Sequence, residues 1–416
     1  MMNSGRNYCV AALLLAVMVV ASCGRQVNYN VPPRKYKRVY TGLENFIEND
    51  AKKYRGKRAA VVTNHSGVDY HLRTNIDLIR SRGIEIALVL APEHGLYGYQ
   101  NEYDSRLCQS DDGLNAIVYN MHHCTPATLR YLFRVVDIVI FDIQDMGLRC
   151  YTYISSLKMV MDALCGSSIE LIVLDRPNPI GFLGADGPFL NRDFYSRHVS
   201  AFPATFMYNM TIGEAAAYYR GEFAKDVKLC VVPLKNYRRD LMYNESMLPW
   251  IPPSPNLPTY ESSIVYASIV FMEGINISVG RGTTKPFEYI GAPWLDPAVL
   301  CDGLNRLGIK NFKFRPIYFN PTFSKYKGER CGGVQIFYVG GEFSPLEVSY
   351  AIISHLKKWP WFRWEQYGGQ YSVDFLAGTD LFRKSIDAGR PYRQFQEDIK
   401  DEMKDFNRVR SKYLIY

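Results

Sequence analysis

The sequence predicts an α/β protein: a doubly wound, parallel-sheet domain followed by a smaller α+β domain. Three observations carry this. From about residue 57, short apolar runs are continuous rather than alternating, as strands covered on both faces are. Segments with helical spacing separate those runs. A proline-rich stretch, Trp250-Ile-Pro-Pro-Ser-Pro-Asn-Leu-Pro258, then breaks the rhythm, and longer, more mixed strands come after it.

The N-terminus stands outside that plan. Arg6 supplies a short positive region, and Val10 to Ala21 is an almost unbroken apolar run, too short to span a bilayer as a mature helix. It ends in Val20-Ala21-Ser22-Cys23-Gly24, and small residues immediately before a cysteine look like a bacterial lipobox. Residues 1–22 are therefore expected to be a signal peptide and 23–40 a tether, with Cys23 lipidated and the chain exported as a membrane-anchored lipoprotein. The polar, proline-containing stretch Gly24 to Arg34 suits a tether. Gly24-Arg25-Gln26 lacks the acidic run that often accompanies surface export, so the expected orientation faces the periplasm.

Residues 41–248 make the first domain. Its strands are expected at Ala59–Thr63, Ile84–Leu90, Ala116–Tyr119, Ile138–Asp142, Leu171–Asp175 and Leu229–Pro233. Helices are expected between them at Leu72–Ser81, Pro126–Arg134, Tyr153–Leu164 and Ile212–Phe223. Residues 249–416 make the second domain, with strands at Ile264–Glu273, Phe312–Phe319 and Gly333–Val339 and helices at Pro297–Leu307 and Pro345–Lys358. Phe395, Ile399, Met403, Phe406, Val409 and Tyr413 recur at helical spacing and predict a C-terminal helix that packs one face.

Composition excludes several function classes. The net charge is +8, falling to +7 once Arg6 leaves with the signal, and no Lys/Arg block exists, so nucleic acid is not an expected partner. After Cys9 and Cys23, seven cysteines remain; no pair has C-x-x-C spacing, which predicts free thiols rather than a disulfide framework. The histidines contain no H-E-x-x-H, so no metal site is expected, and without G-x-G-x-x-G or G-x-x-x-x-G-K-[ST] no nucleotide cofactor is either.

In open parallel sheets, ligands bind beyond the carboxyl ends of the strands. Polar clusters stand at four such ends: Thr63-Asn64-His65-Ser66-Gly67, Pro92-Glu93-His94-Gly95, Asp142-Ile-Gln144-Asp145-Met-Gly147 and Asp175-Arg176-Pro-Asn178-Pro. Four clusters converging on one rim predict a site. In the second half, the backbone of Gly280-Arg-Gly-Thr-Thr284 would cradle an anion.

The motifs Thr63-Asn-His-Ser-Gly-Val-Asp69, Pro92-Glu-His-Gly95, Phe141-Asp-Ile-Gln-Asp-Met-Gly147, Tyr151-Thr-Tyr-Ile-Ser155 and Asp175-Arg-Pro-Asn-Pro179 resemble those of the NamZ (YbbC-type) exo-β-N-acetylmuramidases. Pro252-Pro-Ser-Pro-Asn256, Phe271-Met-Glu-Gly-Ile-Asn276, Gly280-Arg-Gly-Thr-Thr284, Pro286-Phe-Glu288, Gly291-Ala-Pro-Trp294 and Pro321-Thr-Phe-Ser-Lys325 extend the series in order. The resemblance runs from about residue 57 to about 380. It implies a Rossmann-like first domain, an active site in the cleft between the domains, and release of N-acetylmuramic acid (MurNAc) from non-reducing ends of peptidoglycan fragments without metal or cofactor. One departure stands out: before Met210-Thr-Ile-Gly-Glu214 the family usually carries Arg-His-Gly, and this chain has Met207-Tyr208-Asn209.

A glycosidase usually needs one protonated and one ionised carboxyl group. Glu93, after an apolar strand where partial burial favours the acid form, is the candidate acid. Glu273, before a glycine-rich turn, is the second carboxyl, with a salt bridge to Arg281 as its structural alternative. Candidate substrate contacts are Asn64, His94, Asp142, Gln144, Asp145, Tyr153, Asp175, Arg176, Asn276, Arg281 and Thr283. Asp175–Arg176 reads equally well as an internal ion pair, one of Tyr151 and Tyr153 as core, and Glu214 as a helix-capping residue. A non-catalytic sugar- or muropeptide-binding lipoprotein on the same fold is the rival reading. An esterase or amidase is disfavoured by the lack of G-x-S-x-G.

Overall fold

Along Ile138–Asp142, alternate side chains enter two different cores: Ile138 and Ile140 one, Val139 and Phe141 the other. The same division holds for Ala59/Val61 against Ala60/Val62 and for Ile172/Leu174 against Leu171/Val173. A strand with apolar neighbours on both faces has no polar side to show, which is why these runs are continuous in sequence. The computed structural model describes residues 36–100, 108–111, 113–114 and 116–416. The expected signal peptide, Cys23 and most of the tether lie outside the described residues.

The strands are β1 (Arg58–Thr63), β2 (Glu85–Ala91), β3 (Cys108–Asp111), β4 (Ala116–Asn120), β5 (Ile138–Asp142), β6 (Glu170–Leu174), the hairpin β7 (Asp186–Phe189) and β8 (Thr205–Met207), β9 (Lys228–Val232), and then β10 (Tyr289–Ala292), β11 (Phe312–Phe319) and β12 (Cys331–Tyr338). The large sheet runs β3-β4-β2-β1-β5-β6-β9, parallel throughout except for the edge pair β3–β4. Its six parallel strands therefore have the Rossmann order, and the direction of winding reverses between β1 and β5. That reversal opens a crevice at the carboxyl ends of β1 and β5. The antiparallel sheet β10-β12-β11 belongs to the second half. Lys37–Tyr416 is one compact unit, and a single apolar core reaches from Phe141 and Leu157 to Phe271, Val334 and Ile353.

Two expectations fail. The segment Ile264–Glu273 is not a strand: Tyr260–Ile269 is an α-helix and Val270–Gly274 a 3₁₀ turn. Thr259 starts the helix with a reciprocal cap to Ser262, and its residues from Ser262 to Ile269 are all buried. A helix wrapped by protein shows no polar stripe, and its Ile and Val content imitates a strand. The C-terminal helix is two helices, Tyr392–Asp398 and Lys400–Arg410, broken at Ile399. The packed face is as expected, with Phe395, Ile399 and Phe406 buried. Leu72–Ser81 shortens to Asn75–Ser81 because Thr74 caps there. All seven cysteines in the described residues are free, four of them buried.

Arg149 ties the two halves together. It is fully buried, and its guanidinium donates to the carbonyls of Pro188, Ala204, Leu376 and Ala377. Among the described residues no carboxylate pairs with it; backbone carbonyls take both terminal nitrogens, and Nε has no partner. The clasp fixes the end of helix Ser372–Ala377, whose Leu376 lines a cavity shared by both halves.

Candidate active site

β2 runs into Pro92 and delivers Glu93 beyond the sheet, where Thr152 Oγ donates to its carboxylate at 2.6 Å. Thr152 opens helix Thr152–Leu164, so one helix start and one strand end fix this group. Next to it, His94 takes a left-handed backbone (φ 72°), and its Nδ1 bonds the Gln100 carbonyl at 2.8 Å. Glu273 arrives from the 3₁₀ turn Val270–Gly274 and accepts from Arg281 Nε at 2.8 Å. Lys325 Nζ holds that turn by donating to the carbonyls of Glu273 (2.8 Å) and Ile275.

Glu93, His94, Glu273 and Arg281 line one open cavity of about 620 Å³, together with Tyr151, Tyr266 and Phe287. Its walls come from both halves of the chain. The Arg281 guanidinium lies over the Phe287 ring, 4.8 Å from its centroid. Tyr151 is buried at this wall, and its hydroxyl has no hydrogen-bond partner among the described residues. The salt bridge between Glu273 and Arg281 is thus real, and both partners nevertheless face the cavity.

The strand-end rim does not form one site. Gln144 and Arg176 lie in a second, smaller cavity of about 290 Å³ at the β1/β5 crevice, with Ser66, Asp69 and Tyr243. Arg176 pairs with Asp142, not with its neighbour Asp175: Nε reaches Oδ1 at 2.6 Å and Nη2 reaches Oδ2 at 3.0 Å. Asn75 closes the remaining side of Asp142 at 2.8 Å. Asp175 instead accepts from Thr211, Gly213 and Tyr416. Asp142 is thus held by Arg176 and Asn75 and Asp175 is turned to other partners, while Arg176 still lines the smaller cavity.

Other expected contacts are also closed off. Tyr153 is fully buried and its hydroxyl bonds Asn64 and the Pro253 carbonyl, so it belongs to the core and cannot stack on a sugar. Asn64 is spent on Tyr153 and Ser66. Asn276 braces Trp361 and Arg363, and Thr283 bonds the Gly280 carbonyl within its own turn. Glu214 forms the expected capping box with Thr211 and also pairs with Arg239. Sequence reasoning missed Thr152, Lys325 and Tyr266, whose roles depend on partners distant in the chain.

Tyr208, where the family usually has histidine, is fully buried and donates its hydroxyl to Asp145. Neither residue lines either of these cavities. Burial pushes the Asp145 carboxyl up to about 7, against hydrogen bonds from Tyr208 and Gly147 that oppose the shift. Its Oδ1 has no partner among the described residues, so a charge there would be poorly compensated. The folded state holds a proton that the unfolded chain releases. This contribution to stability is complete below about pH 4 and is lost as pH rises through about 7. Asp145→Asn should therefore flatten the decline, gaining on the order of 2–3 kcal/mol relative to the native chain between pH 5 and pH 8. Urea midpoints at both pH values measure it, and an unchanged difference between the two chains would show that Asp145 is ionised throughout.

Comparison with known proteins agrees with this architecture. Residues 59–261 match the model for the N-terminal domain of exo-beta-N-acetylmuramidase NamZ, and residues 264–416 match its C-terminal domain. The chain is 36% identical over 411 residues to peptidoglycan beta-N-acetylmuramidase NamZ of Bacillus subtilis, covering 98% of each protein. Two crystal structures of DUF1343 family proteins from Bacteroides fragilis superpose with TM-scores of 0.79 and 0.69, at 30% and 28% identity, over 91% of this chain and 99% of each of theirs.

Proposed function

The chain belongs to the NamZ exo-β-N-acetylmuramidase family, and from that premise we propose that Glu93 and Glu273 perform the glycosidase reaction in the larger cavity. The protein is a glycosidase of peptidoglycan processing that removes MurNAc from chain ends. The observation that carries the residue assignment is the convergence of two carboxyl groups and one guanidinium in a cavity walled by aromatic rings. Among the described residues Glu93 has only a neutral hydroxyl donor on its carboxylate, and it takes the acid role, protonating the glycosidic oxygen. Glu273 is ion-paired with Arg281 and takes the ionised role. Purified protein should release free MurNAc from a MurNAc-GlcNAc disaccharide. Intact disaccharide after prolonged incubation, with tight binding retained, would make the protein a binding module instead.

Membrane anchorage through Cys23 is part of the same reading. No helix among the described residues is long and apolar enough to cross a membrane. Lipidation of Cys23 would hold the enzyme at the membrane, facing the peptidoglycan of the periplasm. Cys23→Ala should shift the protein from the membrane fraction to the soluble periplasm, or leave it unprocessed, without altering the melting of the folded body. Normal processing with unchanged membrane partitioning would remove the lipobox.

A further inference from the structure

The Glu273 carboxylate faces the cavity, but its place there is set from outside. Helix Tyr260–Ile269 runs into the 3₁₀ turn Val270–Gly274, and a helical end leaves its last carbonyls without intrahelical donors. Donors distant in the chain take four carbonyls in a row here, those of Glu273, Gly274, Ile275 and Asn276. Lys325 Nζ donates to Glu273 at 2.8 Å and to Ile275, the Glu365 N–H to Gly274 at 2.9 Å, and the Tyr326 hydroxyl to Asn276 at 2.8 Å. An ammonium at this end also meets the negative pole of the helical run.

The loop that supplies Lys325 and Tyr326 reaches the partner of Glu273 as well. Thr322 donates both its N–H and its hydroxyl to the Gly282 carbonyl, each at 2.9 Å, beside Arg281. Gly282 leaves no room for a side chain, since a Cβ would lie 2.6 Å from the Phe323 nitrogen. The loop is itself held in a costly shape. Ser324 (φ 67°) and Tyr326 (φ 60°), on either side of Lys325, both take the left-handed backbone that non-glycine residues avoid. Such backbone persists where surrounding contacts over-determine it, and here it aims one ammonium at two carbonyls.

We propose that Lys325 is a positioning residue for the reaction: its loop clamps the turn that carries Glu273 and the turn that carries Arg281, and so sets how the ion pair meets the sugar. This rests on Glu273 as the ionised catalytic carboxyl. Neither Lys325 nor Tyr326 lines the cavity, so their influence passes through the backbone of the turn. Without the ammonium, the part-buried carbonyls of Glu273 and Ile275 lose their donor, and the turn must rearrange to find another. A catalytic group displaced by about 1 Å loses on the order of 10²-fold in rate.

The test is a double-substitution cycle on an aryl MurNAc glycoside, whose good leaving group keeps turnover measurable when catalysis is weak. Lys325→Met should lower kcat by about 10–100-fold and change KM by less than about threefold. Tyr326→Phe deletes one hydroxyl from the same clamp. It should lower kcat about fivefold, the worth of one net hydrogen bond, and it decides the question if Lys325→Met does not fold. In the Glu273→Gln background either substitution should change kcat by less than about twofold, because a residue acting only through Glu273 has nothing left to position. Losses that multiply with that of Glu273→Gln, a rise in KM at unchanged kcat, or native kinetics in both folded variants would overturn the role. Failure of the premise looks different. Near-native turnover in Glu273→Gln removes Glu273 from the reaction and Lys325 with it; a crippled Glu273→Gln beside a native Lys325→Met removes the positioning role alone.

Discussion

Glu93→Gln should lower turnover of a MurNAc-GlcNAc glycan by roughly 10²–10⁴-fold, the usual contribution of general acid catalysis. The amide keeps the shape and can still accept from Thr152 Oγ, so the cavity wall should stay in place. What disappears is a proton that can be delivered at neutral pH. A sugar leaving group departs as a poor alkoxide and needs that proton, whereas a good aryl leaving group carries its own charge away. The aryl glycoside should therefore lose far less. The two losses, read side by side, isolate proton transfer from any damage to binding, which would reach both substrates alike. Small and equal losses would pass the acid role to Glu273, the other carboxyl in the cavity.

The parts of this molecule that were legible in sequence are those governed by local rules. The parallel strands β1, β2, β5 and β6 were readable because burial on both faces leaves each a continuous apolar run, and the helices because Thr74, Thr125, Thr211 and Ser344 cap them within one turn. That Glu93 and Glu273 reach one cavity followed from their places at the ends of apolar segments, and the salt bridge of Glu273 to Arg281 is the structural alternative the sequence also offered. The misreadings have one cause. Asp175 adjoins Arg176 in the chain, yet the guanidinium pairs with Asp142, 34 residues away, because β5 and β6 are neighbours in the sheet. Tyr153 looked like a sugar platform, and helix packing turned it inward instead. Ile264–Glu273 passed for a strand because a helix enclosed on all sides loses its period. Lys325 carries no local sign of its hold on the turn around Glu273.

Arg281→Ala should cost about 2–4 kcal/mol in kcat/KM for MurNAc substrates, as removal of one partner from a buried charge pair does. MurNAc differs from N-acetylglucosamine by a 3-O-lactyl ether, whose carboxylate needs a cation. Among the cavity residues Arg281 is that cation, because Arg176 lies in the other cavity, locked to Asp142. Arg281 spends only its Nε on Glu273, and no other acceptor holds its terminal nitrogens among the described residues. A guanidinium engaged along one edge can still grip a second carboxylate with the remaining N–H groups. Gly280 and Gly282, both at positive φ, let the loop fold tightly enough to bring it there. Because Arg281 also steadies Glu273, part of the loss must appear on any substrate. The ratio of MurNAc to N-acetylglucosamine activity is the discriminating quantity: it should collapse in Arg281→Ala and recover partly in Arg281→Lys, which restores charge without the fork. A ratio that stays constant while both activities fall would limit Arg281 to holding Glu273, and lactyl recognition would then have to come from the backbone N–H groups of the 280–284 turn.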